Sequence, residues 1–132
     1  MKQILILLLL FTPLLNQAQT ALSYFNRGNA KKGLKNYTDA LSDYNQALKL
    51  NPYDAIAYFN KGLLKTELED YESAILDFTK AIELNSEDAA SYFSRGILKY
   101  LLNDLIGACA DWKYAKNLGY QSQINLINDY CN

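Results

Sequence analysis

The sequence predicts an all-α protein, a solenoid of three helix-turn-helix hairpins followed by a capping helix. The first observation behind this prediction is a pattern that recurs every 34 residues, at 21–54, 55–88 and 89–122. The second is the spacing of apolar residues within each repeat, which follows the three-and-four rhythm of amphipathic helices. The composition fits a single globular domain, because the 132 residues are 50% apolar and carry a net charge of only −1.

The N-terminal segment has the layout of a secretory signal peptide. Lys2 precedes an apolar run at 4–11, which Leu14 and Leu15 extend after an interruption at 12–13, and polar residues at 16–17 precede Ala18. We expect residues 1–18 to be a signal peptide that is cleaved after Ala18, so that the protein is exported. The alternative is a membrane anchor that is retained. A spanning helix needs about 20 apolar residues, however, and the apolar stretch at 4–15 is shorter.

Each repeat contains the same residue types at the same places. In the order of the repeats these are Ala21, Ala55 and Ala89; Tyr24-Phe25, Tyr58-Phe59 and Tyr92-Phe93; Arg27-Gly28, Lys61-Gly62 and Arg95-Gly96; Ala40, Ala74 and Ala108; Asp43-Tyr44, Asp77-Phe78 and Asp111-Trp112. The apolar spacing predicts two helices of about fourteen residues in each repeat. Asp54 and Asp88 lie where they can cap the first helix of the next repeat. The second helices can be capped by Asn36, Asp70 and Asp104.

These repeats resemble the tetratricopeptide repeat family, whose pattern carries aromatic, glycine and alanine residues at these places. The resemblance implies a right-handed superhelical solenoid. It also implies that the first helices of successive hairpins line a concave groove, which binds a segment of another protein. The groove residues expected to carry binding are Phe25, Asn29, Phe59, Leu63, Phe93, Ile97, Tyr100 and Leu101. Leu22 and Ile56 belong to the same lining.

Some members of the family clamp the carboxylate terminus of cytosolic chaperones with lysine, arginine and asparagine side chains in this groove. Asn29 and Asn60 fit two of these places, but Phe25, Ala90 and Ser94 occupy the places of the cations. We therefore expect an apolar groove that binds its partner by shape and apolar contact. The alternative is that some of these side chains pack inside the array.

A basic residue and an aspartate recur together in all three repeats. The cations are Arg27, Lys61 and Arg95, and the aspartates are Asp43, Asp77 and Asp111. Three cations in a row could form a site for phosphate or carboxylate. Because every cation is accompanied by an aspartate, we favour the pairing of each cation with an aspartate on the neighbouring helix. These pairs would form a structural ladder between stacked hairpins, each worth ~0–1 kcal/mol if exposed.

The segment after Gly119 is expected to close the stack as a capping helix at about 121–131. Its apolar residues Ile124, Ile127 and Tyr130 have helical spacing. A repeat array needs such a terminal element, with one apolar and one polar face, because its last hairpin has no neighbour to cover it.

The two cysteines lie at similar distances on either side of Gly119. An antiparallel pair of helices turning near Gly119 would place Cys109 and Cys131 at about the same height, as a disulfide requires. We predict a structural disulfide formed in an oxidising compartment. A redox-active or metal-binding pair is the alternative. The 22-residue separation is unlike Cys-x-x-Cys, and the chain has no histidine to complete a metal site. The ending is also similar to the tails of secreted bacterial tetratricopeptide proteins.

Composition excludes several classes of function. The absence of histidine excludes catalytic triads that contain it, such as Ser-His-Asp, and no metal or cofactor is expected. Because 13 cations face 14 carboxylates, nucleic acid is an unfavourable partner. We predict a non-enzymatic adaptor in the bacterial cell envelope, periplasmic or secreted, with no stable membrane span after cleavage. The alternatives are a structural subunit that self-associates through the same groove and, third, a hydrolase of unknown type.

Overall fold

The computed structural model describes residues 2–121 and 124–131, and within them it contains seven α-helices and no strand. The helices are α1 (Lys2–Gly33), α2 (Tyr37–Leu50), α3 (Ala55–Glu67), α4 (Tyr71–Leu84), α5 (Ala89–Leu101), α6 (Leu105–Asn117) and α7 (Ile124–Tyr130). Four residues lie outside the described part of the chain: Met1 of the predicted signal peptide, Ser122 at the end of the predicted last repeat, Gln123 of the predicted capping helix, and Asn132.

The helices pack as antiparallel hairpins, α1 with α2, α3 with α4 and α5 with α6. The chain forms two compact units with the boundary between Tyr53 and Asp54. The first unit holds the α1–α2 hairpin. In the second, α5 packs against α4 and α7 packs against α6. The helices α3 and α5 begin at Ala55 and Ala89, the first residues of the second and third predicted repeats.

Side-chain caps fix where most of the helices begin. Asp54 accepts a hydrogen bond from the backbone N–H three residues later, and Asp88, Asn36 and Asp104 do the same for their helices. Each cap satisfies a backbone donor that has no partner within its helix. Asp70 occupies the equivalent place before α4, but its side chain makes no capping hydrogen bond.

The hairpin turns use a left-handed residue at equivalent places. Lys35, Glu69 and Asn103 have φ angles of 59°, 59° and 65°. This conformation is costly for residues with a Cβ, and asparagine tolerates it better than most. The turn geometry therefore repeats with the 34-residue period, although the residue type does not.

The first helix is longer than the predicted repeat helix. α1 runs without interruption from Lys2 to Gly33, through the predicted cleavage site at Ala18. Residues 2–20 are all exposed, and Gln17 Nε2 donates to the carbonyl oxygen of Leu50 at 3.1 Å. Among the described residues, α1 is the one helix long and apolar enough to cross a membrane, with a mean hydropathy of 1.6 over its most apolar stretch.

One aromatic side chain fills the centre of each hairpin. Tyr44, Phe78 and Trp112 occupy equivalent places on the second helices and are at most 2% exposed. Each ring lies against a glycine of the first helix. At Gly62, for example, a Cβ would lie only 2.9 Å from the Phe78 ring. The repeated glycine therefore permits the close approach of the two helices.

The C-terminal helix α7 covers the end of the last hairpin. Ile127 is 9% exposed and lies in a cluster with Ala108 and Trp112 of α6. Beside this cluster, Cys109 and Cys131 are joined in a disulfide, with their Cα atoms 5.5 Å apart. The predicted capping helix is thus present, and a covalent bond ties it to α6.

Candidate partner-binding surface

In the first hairpin, two of the predicted groove residues contact the central tyrosine. The rings of Phe25 and Tyr44 lie 5.9 Å apart, and Asn29 Oδ1 accepts a hydrogen bond from the Tyr44 hydroxyl at 2.6 Å. Burial raises the pKa of Tyr44 to about 12, so this hydroxyl remains a donor at neutral pH. Phe25 and Asn29 therefore contribute to the packing of the first hairpin.

The equivalent residues of α3 are also half-buried. Phe59 and Leu63 pack against the core cluster of Ala74, Phe78 and Leu98. The rings of Phe59 and Phe78 are 5.7 Å apart. A substitution of Phe59 would therefore disturb the core in addition to any binding surface.

On α5, Phe93 and Ile97 pack against the cluster that contains Trp112 and Ile127. The Phe93 ring also lies 4.9 Å from the ring of Tyr120, in the segment before α7. The chain's own C-terminal segment thus covers part of the predicted lining of α5.

The exposed apolar side chains of α3 and α5 are different members of the predicted lining. Ile56 is 65% exposed, Leu101 49% and Tyr100 39%. On α1, Leu22 is 56% exposed. We call Ile56, Tyr100 and Leu101 the exposed apolar set of the second unit.

The spacing to the repeated glycine could have distinguished the half-buried members of the predicted lining from the exposed ones. Phe59 lies three residues before Gly62, on the helix face where that glycine meets the second helix. The same spacing recurs in the other two repeats. Ile56 lies one turn earlier and remains 65% exposed.

The predicted ion pairs lie within the hairpins. In the second hairpin, Lys61 Nζ lies 3.2 Å from Asp77 Oδ1 and over the ring of Tyr58, at 5.6 Å from its centroid. Lys65 Nζ lies 2.6 Å from Asp77 Oδ2. Asp77 therefore has two cationic partners on the first helix, whereas the sequence pattern predicts only Lys61.

The other two hairpins repeat this arrangement. Arg27 and Lys31 contact Asp43 at 2.6 and 3.0 Å. The hydrogen bond from Arg27 lowers the pKa of Asp43 from 3.8 to about 2, although burial opposes the shift. In the third hairpin the contacts are Arg95 to Asp111 at 2.7 Å and Lys99 to Asp111 at 2.9 Å.

The expectation of a ladder between stacked hairpins is corrected by this geometry. The paired residues are 16 positions apart, which places them at the same level on the two helices of one hairpin. Between hairpins of the second unit, Arg95 donates to Thr79 Oγ1 at 3.1 Å. Because each aspartate binds its cations, these clusters stabilise the hairpins and are poorly placed to capture an anion. Residues 2–121 and 124–131 contain no cluster of three potential metal-ligating side chains.

The fold defines a class of proteins built from tandem helical hairpins with a 34-residue repeat. The sequence profile of the tetratricopeptide repeat family matches residues 21–54 and 55–88, the first two predicted repeats. The chain belongs to the tetratricopeptide repeat family. Comparison with curated protein sequences yields no match.

Several solved structures share the fold. The first tetratricopeptide domain of Spaghetti (RPAP3), bound to the HSP90 peptide SRMEEVD, has a TM-score of 0.81 and 22% identity, covering 86% of this chain and 92% of that one. The Arabidopsis OM64 domain has a TM-score of 0.79 and 26% identity, covering 86% and 93%. The N-terminal domain of stress-induced protein-1 from C. elegans has a TM-score of 0.81 and 19% identity, covering 88% and 98%. The family consists of protein-interaction scaffolds rather than enzymes.

Proposed function

We propose that this protein is an exported interaction module that binds an apolar segment of another protein along α3 and α5. The observation that carries the proposal is the exposed apolar set of the second unit. Ile56, Tyr100 and Leu101 offer apolar surface that no described residue covers fully. Exposed apolar side chains of this size, on helices whose relatives bind peptides, favour contact with a partner.

The charge on α5 favours an apolar partner over an acidic one. The RPAP3 domain was solved with an acidic peptide. In this chain, Arg95 and Lys99 are engaged with Asp111, and Ala90 and Ser94 are uncharged. An acidic peptide would therefore have to compete with a buried carboxylate for its cations, and burial makes that exchange costly.

Export is supported by the N-terminal segment and by the disulfide. The apolar residues between Ile4 and Leu15 are all more than half exposed, so they contribute little to the hairpin core. Their removal after Ala18 would leave the packed helices in place. The Cys109–Cys131 bond suits an oxidising compartment, such as the periplasm or the cell exterior.

The test is a crosslinked capture from the native cell envelope with three forms of the mature chain. Ile56→Glu places a charge on the exposed face of α3, and Leu76→Glu is its matched control, because Leu76 is 70% exposed on α4. Wild type and Leu76→Glu should capture the same protein, and Ile56→Glu should lose it. Equal helicity of the three forms, measured by circular dichroism, excludes a folding defect.

The same experiment separates the alternatives. Capture of only another copy of the chain, lost with Ile56→Glu, would favour the self-associating subunit. Capture of one set of proteins by all three forms would place binding on a different surface and contradict the proposal.

A further inference from the structure

The disulfide of the last hairpin can be reached from solvent. Cys109 and Cys131 are both partly exposed and lie in the wall of an open cavity of about 410 Å³. Lys113 lines the same cavity, one helical turn after Cys109, and its Nζ donates to the carbonyl oxygen of Cys131 at 3.3 Å. A thiolate from another molecule can therefore approach the disulfide at a place where a cation is present.

The helix α7 depends on this bond more than on its own packing. It has seven residues, too few to form a stable helix alone. Among its side chains that the structure describes, Ile127 is buried and the others are exposed. Because so little apolar surface holds α7, opening the disulfide should release it while the α5–α6 hairpin stays folded.

The released helix would leave part of the surface that we assign to the partner. The ring of Tyr130 lies 5.1 Å from the ring of Tyr100, a member of the exposed apolar set. One turn before Tyr100 on α5, Ile97 packs against the cluster of Trp112 and Ile127. Release of α7 would therefore uncover Tyr100 and add Ile97 to the exposed apolar surface of α5.

We propose that the Cys109–Cys131 bond is a redox switch, opened by a protein or small molecule that carries two thiols. Opening releases α7 and uncovers Tyr100, Ile97 and Trp112. In the oxidised chain, α7 is then an autoinhibitory element at the surface assigned to the partner, and this consequence for binding rests on the proposed function. The opening itself requires no partner and is measured on the chain alone.

The reaction is a thiol–disulfide exchange in two steps. The first thiolate of the reductant attacks Sγ of Cys131 and forms a mixed disulfide, while the bond to Cys109 breaks and its sulfur leaves with the electron pair. Cys109 is the leaving group because Lys113 lies one turn away on the same helix face, and a nearby ammonium favours a thiolate. The second thiol of the reductant then displaces Cys131. The reductant becomes a disulfide, and both cysteines of the chain are reduced.

The test treats the mature chain with dithiothreitol and uses Trp112 as the probe. Trp112 is the one tryptophan of the chain, is 2% exposed and packs with Ile127. Without denaturant, both thiols should become reactive, while circular dichroism shows that the hairpins remain helical. Acrylamide quenching of Trp112 should rise at least roughly twofold as α7 leaves. Oxidised glutathione should restore the original protection.

Matched variants make the result specific. The double variant Cys109→Ser, Cys131→Ser should show the quenching of the reduced wild type, with or without dithiothreitol. Lys113→Gln should slow the release of thiols at least roughly twofold. Lys116→Gln is its control, because Lys116 is an exposed lysine of α6 that does not line the cavity, and the rate should stay that of wild type.

Thiols that react only after denaturation would overturn the proposal, as would a reduced chain whose Trp112 is no more accessible than before. Equal rates for Lys113→Gln and Lys116→Gln would contradict the assigned leaving group. If a partner is captured, equal affinities for the oxidised and reduced chains would overturn the autoinhibitory role. Failure of the proposed function would appear instead as capture that is indifferent to Ile56→Glu, so the two failures are distinguishable.

Discussion

At the scale of single residues, each hairpin depends on one close contact between a glycine and an aromatic ring. A Cβ at Gly62 would approach three atoms of the Phe78 ring within 3.0 Å, and that ring is fully buried. A ring enclosed by its own core cannot move aside without disturbing its neighbours. This contact explains why glycine recurs in the middle of a helix, where its intrinsic propensity is poor.

Gly62→Ala should therefore lower the free energy of unfolding by roughly 1–3 kcal/mol, despite alanine's higher helix propensity. Gly33→Ala is the control, because nothing lies within 4 Å of a Cβ at that place. Urea unfolding of the two variants measures the difference. A Gly62→Ala variant as stable as Gly33→Ala would show that the ring is not held against the helix.

The buried Asp43 predicts that the stability of the fold depends on pH. The pKa of Asp43 is lowered from 3.8 to about 2, chiefly by the hydrogen bond from Arg27. A lowered pKa means that Asp43 stabilises the fold fully above about pH 4, and that this contribution is lost as pH falls through 2. Asp43→Asn should lower the free energy of unfolding by roughly 1–3 kcal/mol at pH 7. This difference from wild type should shrink as pH falls from 4 to 2.

The measurement is the unfolding free energy of both proteins at several pH values. The exposed Glu67, replaced by glutamine, provides the control, because it belongs to none of the buried clusters. A gap between wild type and Asp43→Asn that stays constant down to pH 2 would contradict the proposed role of the Arg27 contact.

At the scale of the elements, periodicity predicted the hairpins well. The bounds of α3, α4 and α5 follow the repeat, and Asp54 and Asp88 cap the helices for which they were predicted. These caps could be predicted because a capping side chain binds a backbone N–H only three residues later in the sequence. Asp70 shows the limit: the same residue type at the same place makes no capping bond.

The binding surface was harder to predict for a physical reason. Phe59 and Ile56 lie one turn apart on neighbouring parts of the α3 surface, so which of them is covered depends on how α4 packs along α3. The second cation at each aspartate was missed although Lys31, Lys65 and Lys99 recur with the 34-residue period. Lys61 and Lys65 both reach Asp77 across the hairpin, and recurrence alone does not show that one carboxylate binds two cations.

The turn at Glu69 offers a second test at this scale. Its φ of 59° is unfavourable for glutamate, so Glu69→Gly should stabilise the protein by about 1 kcal/mol. Glu67→Gly, two residues earlier at the end of α3, should instead destabilise it by up to about 1 kcal/mol. In thermal unfolding, we expect the Tm to rise for Glu69→Gly and to fall for Glu67→Gly. Equal losses in both variants would contradict the left-handed turn.

At the scale of the whole molecule, the last hairpin of the repeat array needs an element that covers its apolar face, because a hairpin is stabilised by its neighbours. The short helix α7 covers part of α6, and the disulfide between Cys109 and Cys131 attaches it. A helix of seven residues is too short to be stable alone. The covalent bond therefore compensates for the limited area that α7 buries.

Replacing both cysteines with serine should destabilise the cap by about 3 kcal/mol, on the chain-entropy estimate for a loop of this length. Hydrogen exchange at the amides of α6 and α7 should rise first, with α3 and α4 less affected. The wild-type chain under reducing conditions is the companion measurement. Unchanged protection of α7 in both would show that packing alone holds the cap.

We propose that the protein binds a partner through the exposed apolar set of the second unit. The decisive measurement is the Kd of the captured partner, once purified, for wild type, Ile56→Glu and Leu76→Glu. A loss of at least about tenfold for Ile56→Glu alone, or about 1.4 kcal/mol, is the predicted result. Equal affinities for all three proteins would contradict the claim.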